Sequence, residues 1–177
     1  MTNIPKLTRQ ICKMEEPPRY ILGIDPGLTD LGLALLDMDS RGCIRSGCYN
    51  IITQAMAQGN DELVISRGWA AITQFLGGIR PDQVISETNI HVPSNRALDV
   101  LVCGLLGAFR AMGIPMQVVH PATFRVFYKL GTNKGNRGKN KAATIAKVRS
   151  WGMYPVDSIT DHETDAILFA NYFLDNK

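Results

Sequence analysis

Long apolar runs are missing from this sequence. No stretch of its 177 residues approaches the roughly 20 apolar residues that a membrane-spanning helix needs. The first six residues also lack the apolar core of a secretory signal. We therefore expect a cytoplasmic protein that has no membrane partner.

Cysteine is scarce, and the four cysteines are scattered along the chain at positions 12, 43, 48 and 103. Cys43 and Cys48 could bracket a hairpin, but no second pair is present to complete a zinc site. Free thiols in a reducing compartment are the expectation.

Acidic residues are absent from one long segment. Residues 101–156 contain no Asp or Glu but hold nine of the nineteen basic residues, which leaves ten basic residues against all sixteen acidic residues elsewhere. A merely solvated basic face usually has acids interspersed. The asymmetry therefore predicts a polyanionic partner on one side of the molecule. The nine basic residues are Arg110, Arg125, Lys129, Lys134, Arg137, Lys139, Lys141, Lys147 and Arg149.

The composition, 45% hydrophobic and 20% charged, is typical of a globular chain, and the length suits about one domain. Residues 20–177 form the predicted domain, and residues 1–19 form an N-terminal arm before it. The arm has a possible amphipathic helix, because four apolar residues fall at helical spacing before Pro17-Pro18: Ile4, Leu7, Ile11 and Met14.

The apolar patterns predict an α/β fold, with a five-stranded mixed sheet flanked by helices. The first three strands are expected to form an antiparallel meander, and the first, fourth and fifth a central parallel set. A glycine-rich basic loop is predicted at residues 131–140. The predicted strands are 20–25, 31–36, 43–52, 84–87 and 116–119, and the predicted helices are 61–79, 94–112, one starting at Pro121, 141–151 and 161–174.

An aspartate ends the first predicted strand, and Pro26-Gly27 forces a turn directly after Asp25. An unpaired carboxylate at the end of an interior strand is costly, so a bound metal ion is one explanation. The other is a turn aspartate that caps its own backbone. This segment alone leaves both explanations open.

Two later segments carry further candidate ligands. Glu87 ends the fourth strand, and ligands of open α/β sheets collect at the carboxyl ends of parallel strands, where Asp25 also lies. His162 and Asp165 share one face of the first turn of the last helix, and that face continues into the apolar Phe169. We therefore expect His162 and Asp165 to point towards the sheet.

The neighbours of this pair have ordinary structural explanations. Thr160 and Glu163 fit a capping box, and Asp161 suits the positive end of the helix dipole. Asp37 and Asp39 are explained by turn chemistry. None of these residues is assigned a catalytic role.

Convergence of Asp25, Glu87 and Asp165 would be costly without cations. Two like charges about 4 Å apart repel by roughly 4 kcal/mol at an effective dielectric constant near 20. Oxygen-rich clusters with one imidazole suit Mg²⁺ or Mn²⁺. Two such ions about 3.5–4 Å apart are a recurring device for phosphodiester hydrolysis, in which one activates water and the other stabilises the leaving oxygen. Together with the basic segment, this set predicts a nuclease.

Three segments resemble the catalytic blocks of RuvC-type Holliday junction resolvases. They are Gly23-Ile24-Asp25-Pro26-Gly27, Val84-Ile-Ser-Glu87 and His162-x-x-Asp165-Ala166, and their order and separations agree over about residues 20–175. The resemblance implies an RNase H-like fold, a homodimer, and metal-dependent symmetrical nicking of four-way DNA junctions. It also implies a nucleoid-associated enzyme or, for a viral member, one in the host cytoplasm.

The resemblance also implies roles for individual residues. Asp25, Glu87, His162 and Asp165 would hold two Mg²⁺ ions per site, with Mn²⁺ as a substitute. Lys141 resembles the lysine that lies near the scissile phosphate, and Lys139 is its rival. The predicted DNA-binding residues are Arg125, Lys129, Lys134, Arg137, Lys139, Lys147, Ile90 and His91.

The sequence departs from the family pattern in three ways. Ile90, with His91 beside it, stands where an aromatic residue often probes the junction centre. The basic loop is longer and the N-terminal arm is extra. A phage or mobile-element relative that acts on branched DNA more broadly is one alternative. A catalytically idle nucleic-acid binder on the same fold is the other, although a binder gains nothing from crowding acids near phosphates.

Overall fold

The computed structural model of the chain describes residues 17–88, 96–130, 137–152 and 159–176, without the side chains of residues 54, 55 and 137–140. The predicted helix in the N-terminal arm therefore lies outside the described residues. The same holds for Ile90, His91 and Lys134.

Five strands form one mixed sheet, as predicted from the sequence. β1, β2 and β3 are an antiparallel meander, and β4 and β5 run parallel to β1, in the order β3-β2-β1-β4-β5. The expectation that all three parallel strands are central was wrong for β5, which lies at an edge of the sheet. The strands are β1 Tyr20–Asp25, β2 Leu31–Asp37, β3 Cys43–Tyr49, β4 Gln83–Glu87 and β5 Met116–Val119.

Six helices are present in the described ranges, and two of them differ from the predictions. The third strand ends at Tyr49, and a short helix follows it, because the Thr53 side chain accepts a hydrogen bond from Met56 N and caps a turn. The fifth helix begins at Arg137, so the predicted loop 131–140 was too long. The helices are α1 Gln54–Ala57, α2 Asp61–Leu76, α3 Arg96–Ala111, α4 Pro121–Phe127, α5 Arg137–Ser150 and α6 Asp161–Asp175.

Apolar residues on both faces of the sheet form two core clusters. Leu22 and Ile24 of β1 face α2 and α3, whereas Ile21 faces the layer that contains α4, α5 and α6. Burying both faces of β1 explains its nearly continuous apolar sequence. The helix layer that contains α6 is the one that carries His162 and Asp165.

The acidic turn and the cysteines behave as the sequence indicates. One oxygen of Asp37 accepts hydrogen bonds from the backbone of Asp39 and from the backbone and hydroxyl of Ser40. The three cysteines in the described ranges are free thiols, and burial raises the pKa of Cys43 to about 12.

In the same ranges, no helix has both the length and the apolar character that a bilayer crossing requires.

Candidate active site

Asp25 is the last residue of β1, the central strand of the sheet. β1 lies between antiparallel β2 and parallel β4, and Asp25, at its carboxyl end, retains only 8% of its exposure. The turn that follows is tight, because a Cβ on Gly27 would lie 2.5 Å from the carbonyl oxygen of Asp30. The chain therefore holds a buried carboxylate at the edge where β1 ends.

Glu87 reaches the same edge on the neighbouring strand. The parallel register pairs Ile24 with Ser86, so Asp25 and Glu87 are the next residues on the two strands. Side chains alternate along a strand, and Ile21 and Ile85 both pack towards α6. Asp25 and Glu87 follow them at even spacing, which places both carboxylates on the α6 face.

The first turn of α6 is fixed by the capping box that the sequence predicts. Thr160 Oγ1 accepts a hydrogen bond from Glu163 N at 3.2 Å, and Glu163 accepts one from Thr160 N at 2.9 Å. The other oxygen of Glu163 accepts a hydrogen bond from the Ser46 hydroxyl on β3. Glu163 is thus a structural residue that ties the start of α6 to the sheet.

Two glycines allow α6 to approach the sheet closely. A Cβ on Gly23 of β1 would overlap the carbonyl oxygen of Ala166, and a Cβ on Gly32 of β2 would overlap that of His162. Gly32 lies directly opposite Asp25 in the antiparallel register. The small residues therefore set the distance between the start of α6 and the end of β1.

His162 and Asp25 form a close hydrogen-bonded pair as a result. His162 Nδ1 lies 2.6 Å from Asp25 Oδ2, and with its proton on Nδ1 the imidazole donates to the carboxylate. This hydrogen bond raises the pKa of His162, against partial burial of the ring. Burial raises the pKa of Asp25, against the hydrogen bond and charge of His162. The ionisation of each group therefore depends on that of the other.

Asp165 lies in the second turn of α6, and the negative charge of its carboxylate is only partly balanced by neighbouring groups. Arg125 of α4 is 3.5 Å from Asp165 Oδ2, whereas Asp165 Oδ1 is buried without a hydrogen-bond partner in the described structure. Burial, with the nearby charge of Asp25, raises the pKa of Asp165 to about 7, against the charge of Arg125. Each such buried carboxylate retains a proton or requires a cation.

A second ion pair lies at the start of α6, where Lys141 of α5 contacts Asp161. Partial burial opposes ionisation there, yet the hydrogen bond from Lys141 and the charges of His162 and Lys141 hold the pKa of Asp161 below its ordinary value. The structure thus places Lys141 beside the predicted site, close to His162. The role of Lys141 in catalysis stays a prediction.

The sequence reasoning missed two features of this site. Arg125 was predicted only to bind DNA, but it pairs with Asp165, forty residues away, and no local sequence signal indicates that contact. Asp161 was assigned only to the helix dipole, although its position next to His162 was a signal that its charge would act there.

The other predicted DNA-binding residues are placed less completely. Lys129 is exposed just after α4, and Lys147 on α5 lies over the rings of Tyr128 and Trp151. Arg137 and Lys139 belong to α5, but their side chains are not described. The basic segment therefore contributes cations to the layer that contains α4, α5 and α6.

The donor atoms at this edge fit a divalent cation. Carboxylate oxygens and one imidazole are available, and the buried Oδ1 of Asp165 has no hydrogen-bond partner among the described residues. Within the described ranges, however, no three His, Cys, Asp or Glu side chains are close enough together to form a metal-binding group. The predicted ligands thus gather at one edge without closing into a cluster.

Comparison with solved structures identifies the class of fold as that of RuvC-type Holliday junction resolvases. RuvC of Thermus thermophilus, in complex with a Holliday junction substrate, matches with a TM-score of 0.63 and 20% identity over 85% of this chain and 90% of that one. Identities this low establish the shared fold alone.

Two further solved structures, one viral and one eukaryotic, are also similar to this chain. The Fowlpox virus resolvase, in complex with Holliday junction DNA, matches with a TM-score of 0.55 and 15% identity over 89% of this chain and 99% of that one. The yeast mitochondrial Holliday junction resolvase gives 0.56 and 13% over 89% and 80%. No family sequence model and no curated protein sequence matches the chain. The predicted RuvC-like, RNase H-like fold is confirmed.

Proposed function

We propose that this chain is a metal-dependent, structure-selective DNA endonuclease that resolves four-way junctions by paired nicks. The observation that carries the proposal is the buried Oδ1 of Asp165, which lies beside the Asp25–His162 pair and has no hydrogen-bond partner in the part of the chain that the structure describes. The location of these groups, at the carboxyl ends of β1 and β4 in a RuvC-type fold, supports it. Two of the similar structures are complexes with Holliday junctions.

Asp25, Glu87, His162 and Asp165 would hold Mg²⁺ or Mn²⁺, two ions per site. When bound, the ions would supply activation of water and stabilisation of the leaving 3′ oxygen. Because His162 directs Nδ1 to Asp25, its Nε2 is the ring nitrogen available to a cation. The hydrogen bond thereby fixes which side of the imidazole acts as a ligand.

Two cations of the chain would position the DNA at this site. Arg125 is held 3.5 Å from Asp165, and a guanidinium binds phosphate oxygens through two parallel hydrogen bonds. Lys141 pairs with Asp161 and remains half-exposed, so its ammonium group can contact the DNA backbone from the other side of His162. These contacts would align one phosphate with Asp25.

Branched DNA and a second copy of the chain are the proposed partners. Paired nicks in a four-way junction require two active sites related by symmetry, and a two-fold dimer supplies them. The segment 101–156, which lacks acids, would provide the sequence-independent attraction to phosphates.

The test is cleavage of a synthetic four-way junction by the purified full chain in Mg²⁺ or Mn²⁺. We expect nicks on two opposite strands, and we expect Asp25→Asn to bind the junction without cutting it. Asp39→Asn, at an exposed turn remote from the site, is the matched control and should cut normally. Normal cleavage by Asp25→Asn would contradict the site assignment.

Competing substrates separate the remaining alternatives. A flap, a linear duplex and an RNA–DNA hybrid are assayed beside the junction at equal concentration. Equal cutting of the flap and the junction would indicate broader branched-DNA specificity. Tight junction binding with no cutting in either metal would indicate a catalytically idle binder.

A further inference from the structure

Two adjacent apolar side chains are exposed beside the candidate active site. Val126 retains 67% and Phe127 43% of their exposure on α4, directly after Arg125. Single exposed apolar residues are ordinary on protein surfaces. Val126 and Phe127 follow Arg125 on one short helix, and Arg125 contacts Asp165, so both exposed apolar side chains lie close to the candidate site.

The ring of Phe127 is held in place by its aromatic neighbours. Its centroid lies 5.3 Å from that of Tyr172 at an interplanar angle of 87°, and 5.0 Å from that of Tyr128 at 83°. Edge-to-face pairs of this geometry are favourable and restrict the tilt of the ring. Phe127 therefore presents a fixed, partly exposed aromatic surface.

The position of this surface along α6 relates it to the cleaved phosphate of the proposed reaction. Tyr172 follows Asp165 by seven residues, which is about 10 Å along a helix. That distance corresponds to about three base steps at about 3.4 Å each. A strand whose phosphate lies at Asp165 would bring a nearby base to Phe127.

The charges around Phe127 suit a polyanion. Lys129 is exposed two residues later, and Lys147 Nζ lies 5.7 Å from the Tyr128 ring centroid. Asp175, which accepts a hydrogen bond from the Tyr128 hydroxyl, also accepts one from Arg41. Aromatic rings interleaved with cations are the arrangement on which unpaired bases stack.

We propose that Phe127 contacts an unpaired base of the DNA branch about three nucleotides from the cleaved phosphate. This inference rests on the proposed function and deepens it, because it assigns a positioning residue for the junction. The occupant is a nucleobase; a second copy of this chain is the alternative that the experiment must distinguish.

The experiment uses the full chain and a four-way junction with 2-aminopurine placed at successive positions near the cleavage point, in EDTA so that binding is measured without cleavage. The wild type should quench the probe at one position. Phe127→Ala should abolish that quenching and raise the Kd for the junction roughly 5- to 150-fold. Phe127→Leu keeps the bulk against Tyr172 and should also abolish the quenching. Met112→Ala, a comparably exposed residue at the end of α3, is the matched control and should change neither readout.

Three results would overturn the inference. The first is unchanged quenching and an unchanged Kd in both Phe127 variants. The second is a lower sedimentation mass of the Phe127 variants than of the wild type, which would show that Phe127 lies between two copies. The third is a wild type that does not bind the junction. A wild type that binds the junction but never nicks it in Mg²⁺ or Mn²⁺ would overturn only the nuclease proposal. In that case, the quenching and the Kd ratio still decide the role of Phe127.

Discussion

Gly23 on β1 packs its Cα against the backbone of Ala166 on α6, where a Cβ would overlap the Ala166 carbonyl oxygen. This contact determines how deeply α6 sits on the sheet. It would act on the proposed catalysis indirectly, because His162 lies one helical turn before Ala166 and its imidazole must reach Asp25. The distance between the two proposed ligand-bearing elements is therefore set by a residue that has no side chain.

Replacing Gly23 with alanine should displace α6 and separate His162 from Asp25. We expect a loss of about 1–3 kcal/mol in the free energy of unfolding, measured in urea, because the added methyl overpacks a buried contact. Junction cleavage should fall with it. Gly107→Ala is the control: it lies on α3 with open space around its Cα, so it should be neutral or should stabilise the helix by up to about 1 kcal/mol. Equal stability of the two variants would contradict the role of the close contact.

Removal of the Thr160 cap should loosen the turn that carries His162. Thr160→Ala is expected to cost about 0.5–2 kcal/mol of unfolding free energy, because Glu163 N loses its acceptor. Thr160→Ser retains the hydroxyl and should recover most of that loss. Urea denaturation of the three proteins measures the effect. Indistinguishable midpoints for the alanine and serine variants would show that the cap does not hold α6.

The carboxylate of Asp165 should make the metal-free protein less stable as the pH rises. Its pKa of about 7 lies above the ordinary value of 3.8, so the folded state keeps a proton that the unfolded chain releases. Its contribution to stability is complete below pH 4 and is lost as the pH rises through 7, by roughly 4 kcal/mol. His162, whose pKa is also raised, contributes with the same sign above pH 6.5.

Unfolding free energies in EDTA at pH 5 and pH 8, compared between wild type and Asp165→Asn, check this dependence. The wild type should lose more stability than the variant as the pH rises. The comparison removes the contribution of other carboxylates, which titrate in both proteins. A smaller loss in the wild type than in Asp165→Asn would reverse the expected sign.

Divalent cations should relieve the same charge and raise the melting temperature. At a Mg²⁺ concentration 100 times its Kd, binding to the folded state adds about 2.7 kcal/mol. For a chain of this size, that corresponds to a rise of about 5–10 °C. Asp25→Asn and Asp165→Asn should lose most of the shift, whereas Asp39→Asn should keep it. A shift of equal size in all four proteins would indicate binding elsewhere.

Much of the fold follows from local sequence signals. The apolar run before Asp25 is long enough only for a buried strand, and the spacing of Thr160 and Glu163 identifies where α6 begins. Because parallel strands end at a common edge, Asp25 and Glu87 could be assigned to one edge of the sheet from their positions alone.

The parts that sequence reasoning did not reach depend on tertiary packing. The pairing of Arg125 with Asp165 requires α4 to lie against α6, and no periodicity within either segment indicates that contact. The edge position of β5 depends on which strand it pairs with, and its own four residues carry no such information. The start of α5 at Arg137 lies in glycine-rich sequence that is typical of a loop.

The central position of β1 in the sheet determines how fast its backbone amides exchange with solvent. Backbone amides of β1 are hydrogen-bonded within a sheet that has strands on both sides, so they exchange with solvent only when the whole domain unfolds. Lys129 lies just beyond the short helix α4, and its amide donates to Val126 O within a local turn, so we expect this segment to open at a lower free energy than β1. Deuterium uptake should therefore be slowest around Ile24 and much faster around Lys129. We expect the basic residues after α4 to move relative to Asp25, whose backbone is held in the centre of the sheet.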